Sequence, residues 1–133
     1  MHGFDADEYL AQANEAILCI PIIESREAVE QIGEIVSVDG IDGIVIGPMD
    51  LSMSLECFKR FSEPVYLEAV DKARKACRKY GKAMGTGCYS LEHAQHCAGL
   101  GDTLLLVAGD DTLLASESRR TIGELRKLGV AAS

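Results

Sequence analysis

Apolar runs alternate with helical patterns four times along this chain, and that alternation leaves few folds open. Ile17-Leu18-Cys19-Ile20-Pro21-Ile22-Ile23 stops at Glu24, and Ile44-Val45-Ile46 stops at Gly47-Pro48-Met49-Asp50. A shorter strand pattern over residues 82–86 leads to Gly87, and Thr103-Leu104-Leu105-Leu106-Val107-Ala108 leads to Gly109-Asp110-Asp111. Short apolar runs bounded by turn residues read as strands buried on both faces, the habit of parallel sheets.

Helices fill the spaces between the strands. Residues 5–16 read as a helix with Tyr9, Leu10 and Ala13 on one face. Ser25 can cap a second, with Ala28, Val29, Ile32, Ile35 and Val36 as its apolar stripe. Residues 51–62 form a connection without a clean period. Pro64 suits the first turn of a third helix, whose face carries Tyr66, Val70, Ala73, Cys77 and Tyr80 before a stop at Gly81. Ser90 caps a fourth, with Leu91, Ala94 and Cys97, and a last helix is expected to bury Leu114, Ile122, Leu125 and Leu128.

Consecutive βα units imply a parallel sheet. With 133 residues the chain has room for a single domain, 1–133. Four units match half of a (β/α)8 barrel, which takes about 250 residues. An open doubly wound sheet would usually carry a glycine-rich phosphate turn after its first strand, and Glu24-Ser25-Arg26-Glu27 is no such turn. The expected architecture is α/β, the C-terminal half of a TIM barrel.

Charge and cysteine usage narrow the setting. A net charge of −8 without a basic cluster argues against nucleic acid and anionic membrane as partners. No apolar run approaches the ~20 residues of a membrane span, and Met1-His2-Gly3-Phe4-Asp5 does not resemble a signal peptide. The five cysteines form no CxxC and several fall at apolar positions, which fits buried free thiols and a cytoplasmic protein.

Glu24 and Asp50 are the candidate functional residues. Each lies where a strand gives way to a helix, the end at which α/β proteins place their chemistry. Leu18, Ile20, Ile22 and Glu24 share one parity, so Glu24 sits at the mouth if that face lines the barrel. Two carboxylates from adjacent strands repel one another unless a divalent cation joins them, and two protein oxygens leave room for water and a chelating substrate, as Mg²⁺ or Mn²⁺ prefers. Capping and the helix dipole explain acidic residues at helix starts equally well. Gly47 permits close backbone approach, Pro48 fixes the turn, and the amides of Met49 and Asp50 face the place where an anion would sit.

Taken together, Ile23-Glu24-Ser25-Arg26-Glu27-Ala28 and Gly40-Ile41-Asp42-Gly43-Ile44-Val45-Ile46-Gly47-Pro48-Met49-Asp50-Leu51-Ser52 resemble the class II pyruvate aldolases of the HpcH/HpaI family, within the broader citrate lyase β-chain and malyl-CoA lyase superfamily. Tyr9-Leu10-Ala11-Gln12-Ala13-Asn14-Glu15 and Val107-Ala108-Gly109-Asp110-Asp111-Thr112-Leu113-Leu114-Ala115 fit as well. The resemblance implies a divalent metal, Mg²⁺ or Mn²⁺, on Glu24 and Asp50. It also implies that backbone around Gly47, Pro48, Met49 and Asp50 holds the carboxylate of pyruvate or another 2-oxo acid, with an aldehyde as the second reactant. The implied activity is carbon–carbon cleavage or formation of 4-hydroxy-2-oxo acids through a pyruvate enolate. The family's general-base histidine and substrate-binding arginine belong to the other half-barrel, so the catalytic residues are unknown from this chain. A truncated pseudoenzyme or assembly module that keeps fold and metal is the alternative. The stretch Met53-Ser54-Leu55-Glu56-Cys57-Phe58-Lys59-Arg60 also lacks the glycines expected there.

Other side chains carry weaker signals. His93-x-x-His96-Cys97 reads as solvent-facing histidines rather than a zinc site, Cys88 as ordinary packing, Asp110-Asp111 as a helix cap or added charge at the site, and Arg119-Arg120 as a solvated face. His2 falls in an irregular start. A half-barrel exposes the edges of its first and last strands, so a homo-oligomer is expected, through two half-barrels closing one barrel or, as the aldolase resemblance implies, through exchange of the last helix.

Overall fold

The computed structural model describes residues 6–130. Expectations for His2 and for Asp5 as a helix start lie outside the described residues. The element order is α1 (Ala6–Ala16), β1 (Ile22–Ile23), α2 (Arg26–Glu30), α3 (Ile32–Ser37), β2 (Gly43–Ile46), α4 (Pro48–Ser54), α5 (Pro64–Tyr80), β3 (Ala83–Gly87), α6 (Leu91–Gly99), β4 (Leu104–Leu106) and α7 (Asp110–Lys127). The strands form one parallel sheet in the order β1-β2-β3-β4. No helix among the described residues is long and apolar enough to cross a membrane.

Register divides the sheet into two faces. Ile22, Val45, Gly85 and Leu104 are aligned across the strands, as are Ile23, Ile46, Thr86 and Leu105. Adjacent residues of a strand point to opposite faces. The face of Ile23, Ile44, Ile46, Met84 and Thr86 packs under α3 and α5, against Ile32, Val36, Tyr66, Ala73 and Cys77. On the other face Ile22 is 58% exposed and Leu106 54%.

Local chemistry explains most boundaries. Ser25 and Ser90 cap α2 and α6, their hydroxyls accepting from the Ala28 and His93 amides at 3.2 and 3.1 Å. Pro64 opens α5, and Gly81 closes it in the left-handed region (φ 66°) while the Lys82 amide donates to the Cys77 carbonyl at 2.9 Å.

Several expectations are corrected. The first strand is only Ile22–Ile23, not residues 17–24. The carbonyls of Cys19, Pro21 and Ile23 still accept bonds from Asp42, Val45 and Gly47, but Pro21 has no N–H to return, so the regular ladder is confined to its last two residues. The second helix is divided at Gln31, whose backbone (φ −90°, ψ 8°) leaves the helical region, although Val29, Ile32 and Val36 keep the buried stripe. The connection after Asp50 starts as a helix because Pro48 occupies its first turn. The fourth strand ends at Leu106. Most clearly, α7 buries none of its residues: Leu114 is 72% exposed, and Leu128 just past its end is 79% exposed. A helical stripe specifies an apolar side, not the surface that covers it.

Arg74 of α5 forms a two-point ion pair with Asp102, Nε to Oδ1 at 2.7 Å and Nη2 to Oδ2 at 2.9 Å, and the Thr86 hydroxyl donates to Oδ2 at 2.9 Å. All three residues are buried. Asp102 holds the guanidinium above its ordinary pKa by hydrogen bonding, against the cost of desolvation. The network ties α5, β3 and the turn before β4 together.

Candidate active site

Glu24 follows β1 directly, and Asp50 lies in the first turn of α4, just past β2. Both are exposed. Neither takes part in an ion pair or side-chain hydrogen bond among the described residues. Since β1 and β2 are adjacent and parallel, both carboxylates occupy the C-terminal end of the sheet.

Two backbone contacts hold the segment bearing Glu24 against the turn bearing Asp50. The Gly47 amide donates to the Ile23 carbonyl at 3.1 Å, and the Arg26 amide donates to Ser54 Oγ, at the end of α4, at 2.9 Å. A side chain at Gly47 would crowd this junction. Its Cβ would lie 3.1 Å from both Cβ and Oε2 of Glu24 and 3.2 Å from Ile22 Cγ2. The glycine therefore gives the Glu24 carboxylate its place beside the turn. Free, hard oxygen donors arranged in this way fit a divalent cation of the Mg²⁺ or Mn²⁺ type.

Ser52 secures the start of α4. Fully buried, it donates to the Met49 carbonyl at 2.8 Å and accepts from the Lys59 amide at 3.2 Å. In the loop that follows, Glu56 and Lys59 adopt φ of 61° and 60°. These two residues sit in the stretch where the sequence lacks expected glycines, and they hold a backbone conformation that glycine adopts without strain.

Beside this turn, a cleft of about 500 Å³ opens over the C-terminal ends of β2, β3 and β4, lined by Pro48, Met49, Gly87, Tyr89, Leu106 and Gly109 among others. Gly87 admits Pro48, whose Cδ would stand 2.9 Å from a Cβ there. Of the four residues expected to bind substrate, Pro48 and Met49 line the cleft and Gly47 and Asp50 flank them. The cap of α7 is Gly109, with no side-chain capping bond, and Asp110 and Asp111 supply negative charge to the first turn; Asp110 Oδ1 accepts from the Asp111 amide at 2.9 Å, and Asp111 folds back over Gly109.

The histidines divide. His96 is exposed as expected, but His93 is half-buried, its ring stacked on Tyr89 at 3.9 Å between centroids. Burial lowers its pKa, with His96 adding to the effect and Asp102 opposing it. Cys88, His93 and Cys97 converge, with ligand atoms within 4.8 Å of one another. The sequence reading took both histidines as solvent-facing, which holds for His96 and not for His93. The informative spacing was the i, i+4 pair His93 and Cys97. The buried Arg74–Asp102 pair was missed too, although Arg74 interrupts an apolar stripe between Val70 and Cys77.

Comparison with known proteins gives a consistent result. The family model for HpcH/HpaI aldolase/citrate lyase matches residues 4–116. A hydroxypyruvate/pyruvate aldolase of Rhizorhabdus wittichii is 36% identical over 122 residues, covering 90% of this chain and 49% of that protein. A 2-keto-3-deoxy-L-rhamnonate aldolase of Escherichia coli is 34% identical over 112 residues, covering 84% of this chain and 42% of that protein. The crystal structure of an HpcH/HpaI aldolase/citrate lyase family protein from Burkholderia cenocepacia superposes with a TM-score of 0.80 at 27% identity, over 90% of this chain and 46% of that one. The chain thus spans about half the length of the relatives it matches, and its four βα units are half of their TIM barrel. It belongs to the HpcH/HpaI aldolase/citrate lyase family.

Proposed function

We propose that this chain carries the metal-binding and 2-oxo-acid-binding half of an aldolase site. Glu24 and Asp50 hold Mg²⁺ or Mn²⁺, and backbone at Gly47, Pro48, Met49 and Asp50 receives the carboxylate of pyruvate or a related 2-oxo acid. The reaction is cleavage or formation of a 4-hydroxy-2-oxo acid, with an aldehyde as the second reactant. The observation that carries this reading is the pair of unpaired carboxylates at the C-terminal end of adjacent parallel strands, one of them set against a glycine that leaves it room.

When bound, the cation supplies Lewis-acid polarisation of the 2-oxo carbonyl and offsets the charge that develops on it. The chain's own residues place the donors. The Gly47–Ile23 and Arg26–Ser54 bonds fix the turn, Ser52 anchors the first turn of α4, and the cleft beside Pro48 and Met49 accommodates the rest of the substrate. His93, stacked on Tyr89 and beside Cys97, is poorly disposed to act as the base.

An assembly module that keeps fold and ion without turnover is the second reading, favoured by the poor placement of His93 as a base. Pyruvate release from a 4-hydroxy-2-oxo acid, followed by coupled reduction to lactate, separates the two. The aldolase reading expects release that requires Mg²⁺ or Mn²⁺ and is lost in Glu24→Ala. Metal and pyruvate binding without release establishes the module. The exposed side chains of Ile22 and Leu106 support self-association as a homo-oligomer. Sedimentation as a compact monomer contradicts that part.

A further inference from the structure

A cluster of soft donors, chemically unlike the carboxylate pair, lies between β3 and α6. We infer that Cys88, His93 and Cys97 bind a thiophilic divalent cation of the Zn²⁺ type, with the fourth position open to water. Their ligand atoms lie within 4.8 Å of one another, and Cys97 Sγ stands 3.4 Å from His93 Nε2. Tetrahedral zinc, with bonds of about 2.3 Å to sulfur and 2.0–2.1 Å to nitrogen, needs ligand atoms roughly 3.5–3.8 Å apart. Small side-chain rotations close the difference.

The fold builds this triangle from rigid parts. Cys88 leaves the end of β3 with its amide donating to the Leu106 carbonyl at 2.8 Å. His93 and Cys97 are four residues apart on α6, so they share one face of the helix. The helix start is set by Ser90, which accepts from the His93 amide. Tyr89 stacks on the imidazole, and Phe61 stacks on Tyr89 at 4.7 Å between centroids, which fixes the ring plane. The other imidazole nitrogen, Nδ1, is buried with no hydrogen-bond partner among the described residues, so stacking rather than a hydrogen bond orients the ring.

The thiols must lose their protons for the cation to bind, so affinity rises with pH. Burial pushes the Cys97 thiol up to about 11, with Asp102 adding to the shift, and raises Cys88 as well, chiefly by desolvation. Without a cation the cluster is two thiols and a neutral imidazole. A bound Zn²⁺ displaces two thiol protons to solvent, and its two charges cancel those of the two thiolates, so the buried site stays neutral. Cys88 also lines the cleft of about 500 Å³, and His93 and Cys97 line a cavity of about 250 Å³ between α5 and α6, which gives the ion a way in. Thiolate and imidazole select against Mg²⁺, whereas Glu24 and Asp50 favour it. The two sites are thus independent in ligand chemistry.

Cobalt titration of the reduced, metal-stripped 133-residue chain tests the site. One equivalent of Co²⁺ is expected to give thiolate charge-transfer absorption and the intense visible bands of tetrahedral cobalt, bleached by one equivalent of Zn²⁺. Cys88→Ser, Cys97→Ser and His93→Gln should each weaken Co²⁺ binding by more than the ~10–100-fold that loss of an outer partner of a ligand costs. Circular dichroism and thermal melting confirm that the variants fold. Glu24→Ala and Cys19→Ser should leave the spectrum unchanged, which separates this site from the carboxylate pair and from an exposed thiol. Absence of tetrahedral bands, bands that survive Cys97→Ser in a folded chain, or a Cys88–Cys97 disulfide formed in place of metal binding overturns the proposal.

Discussion

On the helix-covered face of the sheet Ile44, Ile46 and Thr86 are removed from solvent, whereas on the opposite face Ile22 and Leu106 keep more than half of their surface exposed. The same four strands supply both faces, so the difference lies in what covers them. Under α3 and α5 the core is buried and is tied to the sheet by the Arg74–Asp102–Thr86 network. The open face corresponds to the barrel interior of relatives twice as long. The buried core of this half-barrel therefore lies on the outer, helix-covered side, while Ile22 and Leu106 on the inner face stay exposed.

Mutations that treat the two faces alike break this comparison. The largest effect is expected for Asp102→Ala, which leaves the Arg74 guanidinium buried and unpaired. Urea unfolding should show a loss of about 3–5 kcal/mol. Ile44→Ala on the covered face should cost about 2–5 kcal/mol, against less than about 1 kcal/mol for Ile22→Ala on the open face of the monomer. Equal costs would mean that the open face is covered in solution. Ser25→Ala removes the cap of α2 beside Glu24 and should cost about 1 kcal/mol. Tyr66→Phe should change stability least, within about 1 kcal/mol, because the buried Tyr66 hydroxyl has no hydrogen-bond partner among the described residues.

Much of the outer layer was legible in the sequence because its signals are local. Ser25 and Ser90 cap their helices, Pro64 opens one and Gly81 ends it, and the stripe from Tyr66 through Cys77 faces the sheet as its spacing requires. The positions of Glu24 and Asp50 at the strand ends followed from the same βα punctuation. What escaped depends on contacts between distant segments. The shortness of β1 needed both the missing N–H of Pro21 and the bonds to β2, and the exposure of α7 needed knowledge of what packs on it. The sulfur cluster escaped because Cys88 reaches α6 through space, not along the helix. Positive φ at Glu56 and Lys59 was foreshadowed only by the absence of glycine there.

The central claim is that Glu24 and Asp50 form a divalent-metal site that recognises a 2-oxo acid. Calorimetric titration of the whole chain with Mn²⁺, with and without pyruvate, tests it most directly. The account predicts one Mn²⁺ that binds more tightly in the presence of pyruvate, and the loss of that binding in both Glu24→Ala and Asp50→Ala. Mn²⁺ binding that ignores pyruvate and survives either substitution would contradict it.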